Sequence, residues 1–170
     1  KREVLIDIVA FCLMPNHFHL IVQPLHEDGL QLFMQKIGVG YTKYFNHKYK
    51  RVGPLFQGPY QLRHITTDAD LISCVGYVHR NPIDQMDFNG VRQGKGFRRN
   101  AEKFLQTYRW SSYLDYLDTK NFPSVISQQF FRGTFSANPH DHKNLILDWT
   151  ESDFNRLKEL KLTIEADKED

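Results

Sequence analysis

Two apolar stretches separated by a short break constrain the fold of this chain more than any other feature. Residues 5–13 (LIDIVAFCL) are rich in β-branched and apolar residues, which predicts a β-strand. Met14-Pro15-Asn16 interrupts the pattern, because proline cannot donate a ladder hydrogen bond and asparagine favours turns. Residues 17–22 (HFHLIV) resume it, and we expect Phe18, Leu20 and Val22 to pack into the core. The sequence therefore predicts a pair of strands.

Two helices are predicted after this pair. Apolar residues recur at spacings of three and four from Gly29 to about residue 50, which predicts a long helix with a kink at Gly38 and Gly40. Thr67 precedes two acidic residues and is the predicted N-cap of a second helix, which Pro82 closes.

The remaining segments give weaker patterns. Residues 55–65 are interpreted as a strand pair or a bulged strand, although Gly58-Pro59 lies in the middle. Residues 101–118 have helical character, and we expect Trp110 and Tyr113 to pack on the core. Thr150 is a predicted N-cap of a last helix. Together the patterns indicate one α+β domain with a C-terminal extension.

Composition excludes several classes of protein. The chain has 170 residues, of which 41% are hydrophobic and 14% aromatic, so it is not of the disordered class. No apolar run reaches the roughly 18 residues needed to cross a bilayer, and no secretory signal pattern is present, so we expect no membrane partner. Cys12 and Cys74 form no Cys-x-x-Cys pair, which argues against a disulfide framework and favours a cytoplasmic location.

The net charge of +2 hides two basic stretches. Residues 29–67 contain six basic residues and no acidic one, and residues 89–110 contain six basic residues and one acidic one. Such segregation favours a surface that binds a polyanion, with a solvated helix or a disordered surface loop as the alternatives. The candidate DNA-binding residues are Lys36, Lys43, Lys48, Lys50, Arg51 and Arg63 in the first stretch and Arg92, Arg98 and Arg99 in the second, where Phe97 is a candidate for base stacking.

His17 and His19 are the candidate metal ligands. Residues two apart on a strand point to the same face, so both imidazoles project together. Imidazole is the commonest nitrogen ligand of divalent metals. The pair alone is weak evidence, because two surface histidines would give the same pattern.

The surrounding sequence is more specific. FCLMPNHFHLIV, residues 11–22, resembles the His-hydrophobic-His motif of the HUH single-tyrosine transposases, particularly the REP-associated tyrosine transposases and their insertion-sequence relatives. Further matches follow in order at residues 41–46, 53–57, 77–82 and 108–113. The resemblance implies a ferredoxin-like or RRM-like central antiparallel sheet with helices on one face, followed by a C-terminal helical extension.

The resemblance also implies a reaction and its residues. The family function is a metal-dependent cleavage and strand transfer of single-stranded DNA near repeat hairpins, through a 5′-phosphotyrosine intermediate. Tyr77 would be the nucleophile, and His17, His19 and Asn81 would hold Mg²⁺ or Mn²⁺. Tyr77 and Asn81 share a helix face at a spacing of four, although Pro82 disfavours helical backbone at Asn81. The alternatives are a core tyrosine and a helix-capping asparagine, and His79 is interpreted as having no special role.

Two other functions remain open beside this one. A domesticated protein that binds DNA hairpins without cleaving them would keep the fold. A rolling-circle initiator usually carries a second tyrosine near the first, and none lies within two helical turns of Tyr77. Monomer and homodimer are both compatible with the sequence.

Domain boundaries follow from the extent of the resemblance. We expect a catalytic domain over residues 1–118 that lacks the first strand and helix of the family, and a C-terminal extension over residues 119–170 that packs on it. Without that first strand, the sheet is expected to have an exposed edge.

Overall fold

The computed structural model describes residues 3–85, 96–127 and 139–148, and its fold is α+β, as expected. Strands β1 (Ile6–Leu13) and β2 (Phe18–Pro24) form an antiparallel sheet, closed by a hydrogen bond from Met14 N to His17 O of 2.8 Å. The helices are α1 (Gly29–Tyr49), α2 (Asp68–Arg80), α3 (Phe97–Thr107), α4 (Tyr113–Tyr116) and α5 (Pro139–Asp148), and a 3₁₀ helix (Asn81–Gln85) follows α2 directly.

The chain divides into two compact units. The first comprises Lys1–Asp7 and Val22–His64, and the second comprises Ile8–Ile21 and Ile65–Asp170. The division runs through both strands of the hairpin. The expected domain boundary between residues 118 and 119 stays a prediction.

The first unit is built around α1. Gly29 starts the helix at a point where a Cβ would overlap the carbonyl oxygen of Leu5, so only glycine fits there without a shift. The helix is continuous through Gly38 and Gly40, where we expected a kink. Most of its surface is exposed, and Gly29 is its only residue that is buried.

Residues 55–65 are not a strand. The structure describes this segment as irregular, so the interpretation as a strand pair was wrong. Pro54 and Pro59 lack the N–H group that a ladder requires, and Gly58 gives no side chain to pack, which together disfavour strand pairing.

The core of the second unit is formed by β1 and α2. Residues 9–12 are all buried, so β1 is covered on both faces, and Val75 and Val78 of α2 lie in the same cluster. In β2, Leu20 packs against this cluster as expected, but the buried residue is Ile21 rather than Phe18 or Val22. The face of β2 that carries its odd-numbered residues therefore also contributes to the core.

The backbone of β1 is also paired with segments later in the chain. Leu13 N donates to Trp110 O at 2.8 Å, and Ser112 N donates to Phe11 O at 3.0 Å. Ser127 N donates to Ile8 O at 2.9 Å. The expected exposed edge is therefore absent at these positions of β1.

Helix α2 begins as the sequence predicts. The backbone of Thr67 is extended, and its Oγ1 accepts a hydrogen bond from Asp70 N at 3.1 Å. The α-helix ends at Arg80, before Pro82. Asn81 nevertheless keeps helical dihedrals (φ −46°, ψ −40°), because its backbone N–H still bonds to Tyr77 O and the chain continues into the 3₁₀ helix.

The predicted helix over residues 101–118 consists of two pieces. α3 ends at Thr107, whose Oγ1 bonds to the Phe104 carbonyl, and only Tyr113–Tyr116 are helical again. Tyr113 is fully buried, as expected, whereas Trp110 is 52% exposed, so its expected packing role was wrong. The helix predicted after Thr150 lies outside the described residues, and α5 was not predicted.

None of the helices in the described ranges has the length and hydropathy needed to traverse a bilayer.

Candidate functional site

The imidazoles of His17 and His19 lie together at the start of β2. Their ring centroids are 5.0 Å apart and the rings are perpendicular. His17 is exposed and His19 is half-buried, so the pair is open at one side. The structure therefore brings the two histidines together as the strand spacing predicts.

Asn16 orients the first of these rings. Its Oδ1 lies 2.7 Å from Nδ1 of His17, and an amide oxygen can only accept, so Nδ1 carries the proton. The lone pair of His17 is then on Nε2, the atom that would bind a metal. A hydrogen bond that fixes the tautomer in this way is typical of metal-binding histidines. The sequence analysis assigned Asn16 only to the turn.

Tyr77 of α2 packs against the second histidine. The ring centroids of His19 and Tyr77 are 5.5 Å apart at an interplanar angle of 81°. Tyr77 is half-buried at the margin of the core cluster. His17, His19 and Tyr77 thus form one aromatic cluster within the second unit.

The other tyrosines of this unit are engaged elsewhere. Tyr108 Oη donates to Leu13 O at 2.7 Å, and Tyr116 Oη donates to Val9 O at 2.9 Å. Tyr113 is completely buried, and burial raises its pKa to about 12, with the charge of Glu102 adding to the effect. Within the described part of the second unit, Tyr77 is the tyrosine placed beside the histidine pair.

Asn81 lies one helical turn after Tyr77 and is buried. Its Nδ2 donates to Tyr77 O at 2.8 Å, so the side chain caps the end of α2 as the alternative interpretation held. Because the amide nitrogen is used in this way, Oδ1 is the atom through which Asn81 could bind a cation. Its role as a ligand stays a prediction.

The donor set fits a divalent ion that keeps part of its shell for water and substrate. Across residues 3–85, 96–127 and 139–148, no three His, Cys, Asp or Glu side chains are placed to hold one ion. The structure brings two imidazoles together. With Asn81 as the predicted third ligand, positions would be left open for phosphate oxygens.

A buried polar chain holds the C-terminal end of α2. His79 is completely buried, its Nδ1 lies 2.9 Å from His142 Nε2 of α5, and its Nε2 lies 2.7 Å from Ser112 Oγ. Arg80 Nη1 donates to Ile146 O at 2.9 Å. His79, for which we expected no catalytic role, thus links α2 to two later segments.

Ser112 connects this hydrogen-bond network to strand β1. Its Oγ accepts from Phe11 N at 2.9 Å and donates to Phe11 O at 3.2 Å. One proton is shared between His79 Nε2 and Ser112 Oγ, and another between His79 Nδ1 and His142 Nε2. Burial lowers the pKa of His142 to about 4; burial, with the charge of His142 as a second cause, places the pKa of His79 well below its usual value. Both rings are therefore neutral near pH 7.

The basic residues of the first unit are on its surface. The lysines and Arg51 are exposed, and Arg63 is half-buried; these candidates are Lys36, Lys43, Lys48, Lys50, Arg51 and Arg63. Their binding to DNA stays a prediction.

The second basic stretch is less uniform than expected. Residues 97–103 belong to α3, so the alternative of a surface loop was wrong there. Arg98 forms an ion pair with Asp148 and donates to Asn144 Oδ1 at 2.8 Å, whereas Arg99 is exposed. Phe97 packs on the second core cluster with Arg80 over its ring, which argues against base stacking. Arg92 lies outside the described residues.

Part of the chain that contains this site matches a known protein family. Residues 1–81 match the family described as "Transposase IS200 like", a segment that ends at Asn81 and contains the whole histidine–tyrosine cluster. No curated protein and no solved structure matches the chain.

Proposed function

Because residues 1–81 match the IS200-like transposase family, we propose that the chain is a metal-dependent endonuclease and strand transferase acting on single-stranded DNA near repeat hairpins. The contact between the rings of His19 and Tyr77, with the His17 ring beside it, is the observation that carries the proposal. Two metal-binding imidazoles and a hydroxyl nucleophile in one cluster are the groups that covalent phosphoryl transfer requires.

Tyr77 is the nucleophile in this mechanism. Its Oη forms a bond to the scissile phosphorus while the bond to the 3′ oxygen breaks, so the 5′ end becomes a phosphotyrosine and the other fragment leaves with a 3′-OH. A 3′-OH can later attack the tyrosine ester and rejoin DNA strands without ATP. The half-buried position of Tyr77 holds its ring in place while one side stays accessible to the strand.

The metal-binding residues orient the phosphate for this attack. His17, His19 and Asn81 would hold Mg²⁺ or Mn²⁺, which when bound supplies positive charge that polarises the phosphate. The hydrogen bond to Asn16 selects the tautomer in which Nε2 of the neutral His17 ring carries the lone pair. The bond from Asn81 Nδ2 to the Tyr77 carbonyl ties the proposed ligand Asn81 to the turn that carries the nucleophile.

Phosphate contacts away from the scissile bond are assigned to exposed basic side chains. Those of the first unit are Lys36, Lys43, Lys48, Lys50 and Arg51, with Arg63 half-buried, and Arg99 is the exposed arginine of α3. Arg98 is a weaker candidate, because its ion pair with Asp148 competes with phosphate. Each phosphate contact on a single strand is expected to contribute about 0.7 to the slope of log K against log salt.

Replacement of the nucleophile tests the proposal. Tyr77→Phe removes one hydroxyl and keeps the ring that contacts His19, so we expect no covalent adduct and unchanged affinity for labelled single-stranded hairpin DNA. The control Tyr108→Phe removes a hydroxyl that bonds to a backbone carbonyl and should leave adduct formation intact. Denaturing gel electrophoresis with Mn²⁺ reads both results, and an adduct formed by Tyr77→Phe would contradict the assignment.

Removal of the imidazoles tests the metal role. His17→Ala with His19→Ala should abolish Mn²⁺-dependent cleavage while DNA binding persists. Cleavage that continues in this variant, or in the wild type with excess chelator, would contradict metal dependence. Binding without any cleavage by the wild type in Mn²⁺ would favour the non-cleaving hairpin-binding function.

A further inference from the structure

The C-terminal half of α1 carries a stripe of aromatic rings open to solvent. Tyr41, Tyr44 and Tyr49 are 49%, 55% and 54% exposed, and Phe45 lies half-buried among them. Positions 41, 45 and 49 follow one another at a spacing of four, so the rings line one face of the helix. We call these four residues, with Phe56 beside them, the tyrosine stripe.

Neighbouring rings of the stripe pack against one another. Tyr41 lies 6.0 Å from Phe45 and 6.3 Å from Phe56, and Phe45 lies 4.5 Å from Tyr49, measured between centroids. The turn after the helix is fixed by hydrogen bonds from Asn46 Nδ2 to Gly53 O and from Arg51 N to Asn46 O.

Two cations, Lys48 and Arg51, lie over rings of the stripe. Lys48 Nζ lies 5.7 Å from the Tyr44 ring centre and 5.3 Å from that of Tyr49, and the Arg51 guanidinium lies 5.6 Å from that of Phe45. A hydrogen bond with Tyr44 is the main cause that raises the pKa of Lys48, so this side chain stays charged. The surface offers π-faces and positive charge side by side.

No acidic residue lies near the tyrosine stripe in the sequence. Residues 29–67 contain no Asp or Glu. The acidic residues nearest in sequence before the helix are Glu27 and Asp28, and Tyr41 follows Asp28 by 13 residues, which is about 20 Å along a helix. The charge of the stripe therefore favours a negatively charged partner, such as a polyanion, over a basic one.

We propose that the tyrosine stripe binds the unpaired bases of single-stranded DNA by stacking, with Lys48 and Arg51 contacting the adjoining phosphates. Exposed aromatic rings interleaved with cations are the combination that binds single strands without reading sequence, because every base has a π-face. Paired bases are already stacked within a duplex and offer no face to Tyr41, Tyr44 or Tyr49. This inference rests on the proposed function and adds that the first unit binds the unpaired bases of the DNA.

Two other occupants fit the stripe less well. A helix that lies on a membrane separates its apolar face from its cations, whereas here Lys48 and Arg51 lie over the rings themselves. A second copy of the chain would bring two acid-free basic surfaces together, which costs electrostatic energy.

Substitution of single rings tests the proposal, with Tyr77→Phe protein used throughout so that no covalent bond forms. Tyr44→Leu and Tyr49→Leu should each weaken binding of a labelled oligothymidine of about 16 nucleotides by roughly tenfold. Tyr44→Phe keeps the ring and should bind like the parent. Tyr60→Leu removes a tyrosine that is 40% exposed outside the stripe and serves as the matched control.

Salt dependence separates stacking from charge. The leucine variants should keep the parent slope of log K against log salt, whereas Lys48→Gln should reduce it by about 0.7. Unchanged binding by both leucine variants would overturn the proposal, as would an equal loss for duplex DNA of the same length. Concentration-dependent self-association that Tyr44→Leu abolishes, or displacement of the oligothymidine by anionic phosphatidylserine vesicles, would assign the stripe to another occupant.

The outcome is independent of the cleavage assay. An adduct at Tyr77 with no effect of the leucine variants leaves the proposed function standing and overturns the stacking inference. Loss of oligothymidine binding in the leucine variants without any wild-type adduct supports the stacking inference and contradicts the nuclease.

Discussion

Single hydrogen bonds decide how the histidine cluster can act. His17 presents Nε2 because its Nδ1–H donates a hydrogen bond to Asn16 Oδ1, and Asn81 presents its amide oxygen because the nitrogen caps α2. The His-x-His spacing was sufficient to predict that the two rings meet. It could not predict the tautomer, which depends on the position of the preceding side chain in the folded turn.

Removal of the Asn16 acceptor should weaken metal binding. Asn16→Ala leaves the His17 ring free to adopt either tautomer, so we expect the affinity for Mn²⁺ to fall by about tenfold or more. Titration calorimetry with Mn²⁺ measures this. Asn16→Asp retains an acceptor and should bind at least as tightly as the wild type; equal affinity for the alanine variant would contradict the orienting role.

His142 gives the second unit a pH-dependent stability. Its folded-state pKa of about 4 lies below the ordinary value of 6.5, because burial disfavours the charged ring. Below pH 6.5 the unfolded chain therefore binds a proton that the folded chain does not. The stability from the neutral ring is complete above pH 6.5 and declines by about 1.4 kcal/mol per pH unit as the pH falls towards 4.

Thermal denaturation between pH 7 and pH 4.5 measures this decline. His142→Asn removes one of the two buried imidazoles whose pKa is lowered, so the melting temperature of this variant should fall less steeply with acid than that of the wild type. Parallel curves for the two proteins would contradict the assignment of the decline to His142. His140, exposed on the same helix, supplies the matched control as His140→Asn.

At the scale of elements, the sequence predicted what local rules determine. The hairpin, α1 and α2 with the Thr67 cap follow from periodicity, turn residues and capping chemistry. Residues 55–65 and Trp110 were misread, because apolar side chains there suggested packing that the irregular backbone does not provide. The hydrogen bonds of His79 to Ser112 and His142 join residues that are 33 and 63 positions apart in sequence. Local sequence patterns do not predict such tertiary contacts.

Two glycines of α1 should respond oppositely to the same substitution. At Gly29 a Cβ would overlap the Leu5 carbonyl oxygen, so Gly29→Ala should destabilise the first unit. At Gly40 no atom lies within 4 Å of the added Cβ, so Gly40→Ala should stabilise the protein by about 0.5–1 kcal/mol through helix propensity. Urea denaturation compares the two, and stabilisation by Gly29→Ala would contradict the close approach.

At the scale of the whole chain, the residues of the proposed site and the residues that hold the end of α2 come from different stretches of sequence. The family match ends at residue 81 and contains His17, His19, Tyr77 and Asn81. Ser112, His142 and Ile146, which hold the end of the helix that carries Tyr77, lie beyond it. The first unit contributes the acid-free surface of α1, so the small net charge of +2 conceals a chain whose basic residues are concentrated in particular segments.

Identification of the residue that becomes linked to DNA tests the central claim most directly. Wild-type protein is incubated with single-stranded hairpin DNA and Mn²⁺, digested with nuclease and trypsin, and analysed by mass spectrometry. The tryptic peptide of residues 64–80 contains one tyrosine, Tyr77, so its mass identifies the linked peptide and fragmentation of the peptide assigns the link to that residue. We predict a nucleotide joined to this peptide through its 5′ phosphate. A link on any other tyrosine, or no link under conditions in which the DNA is cleaved, would contradict the account.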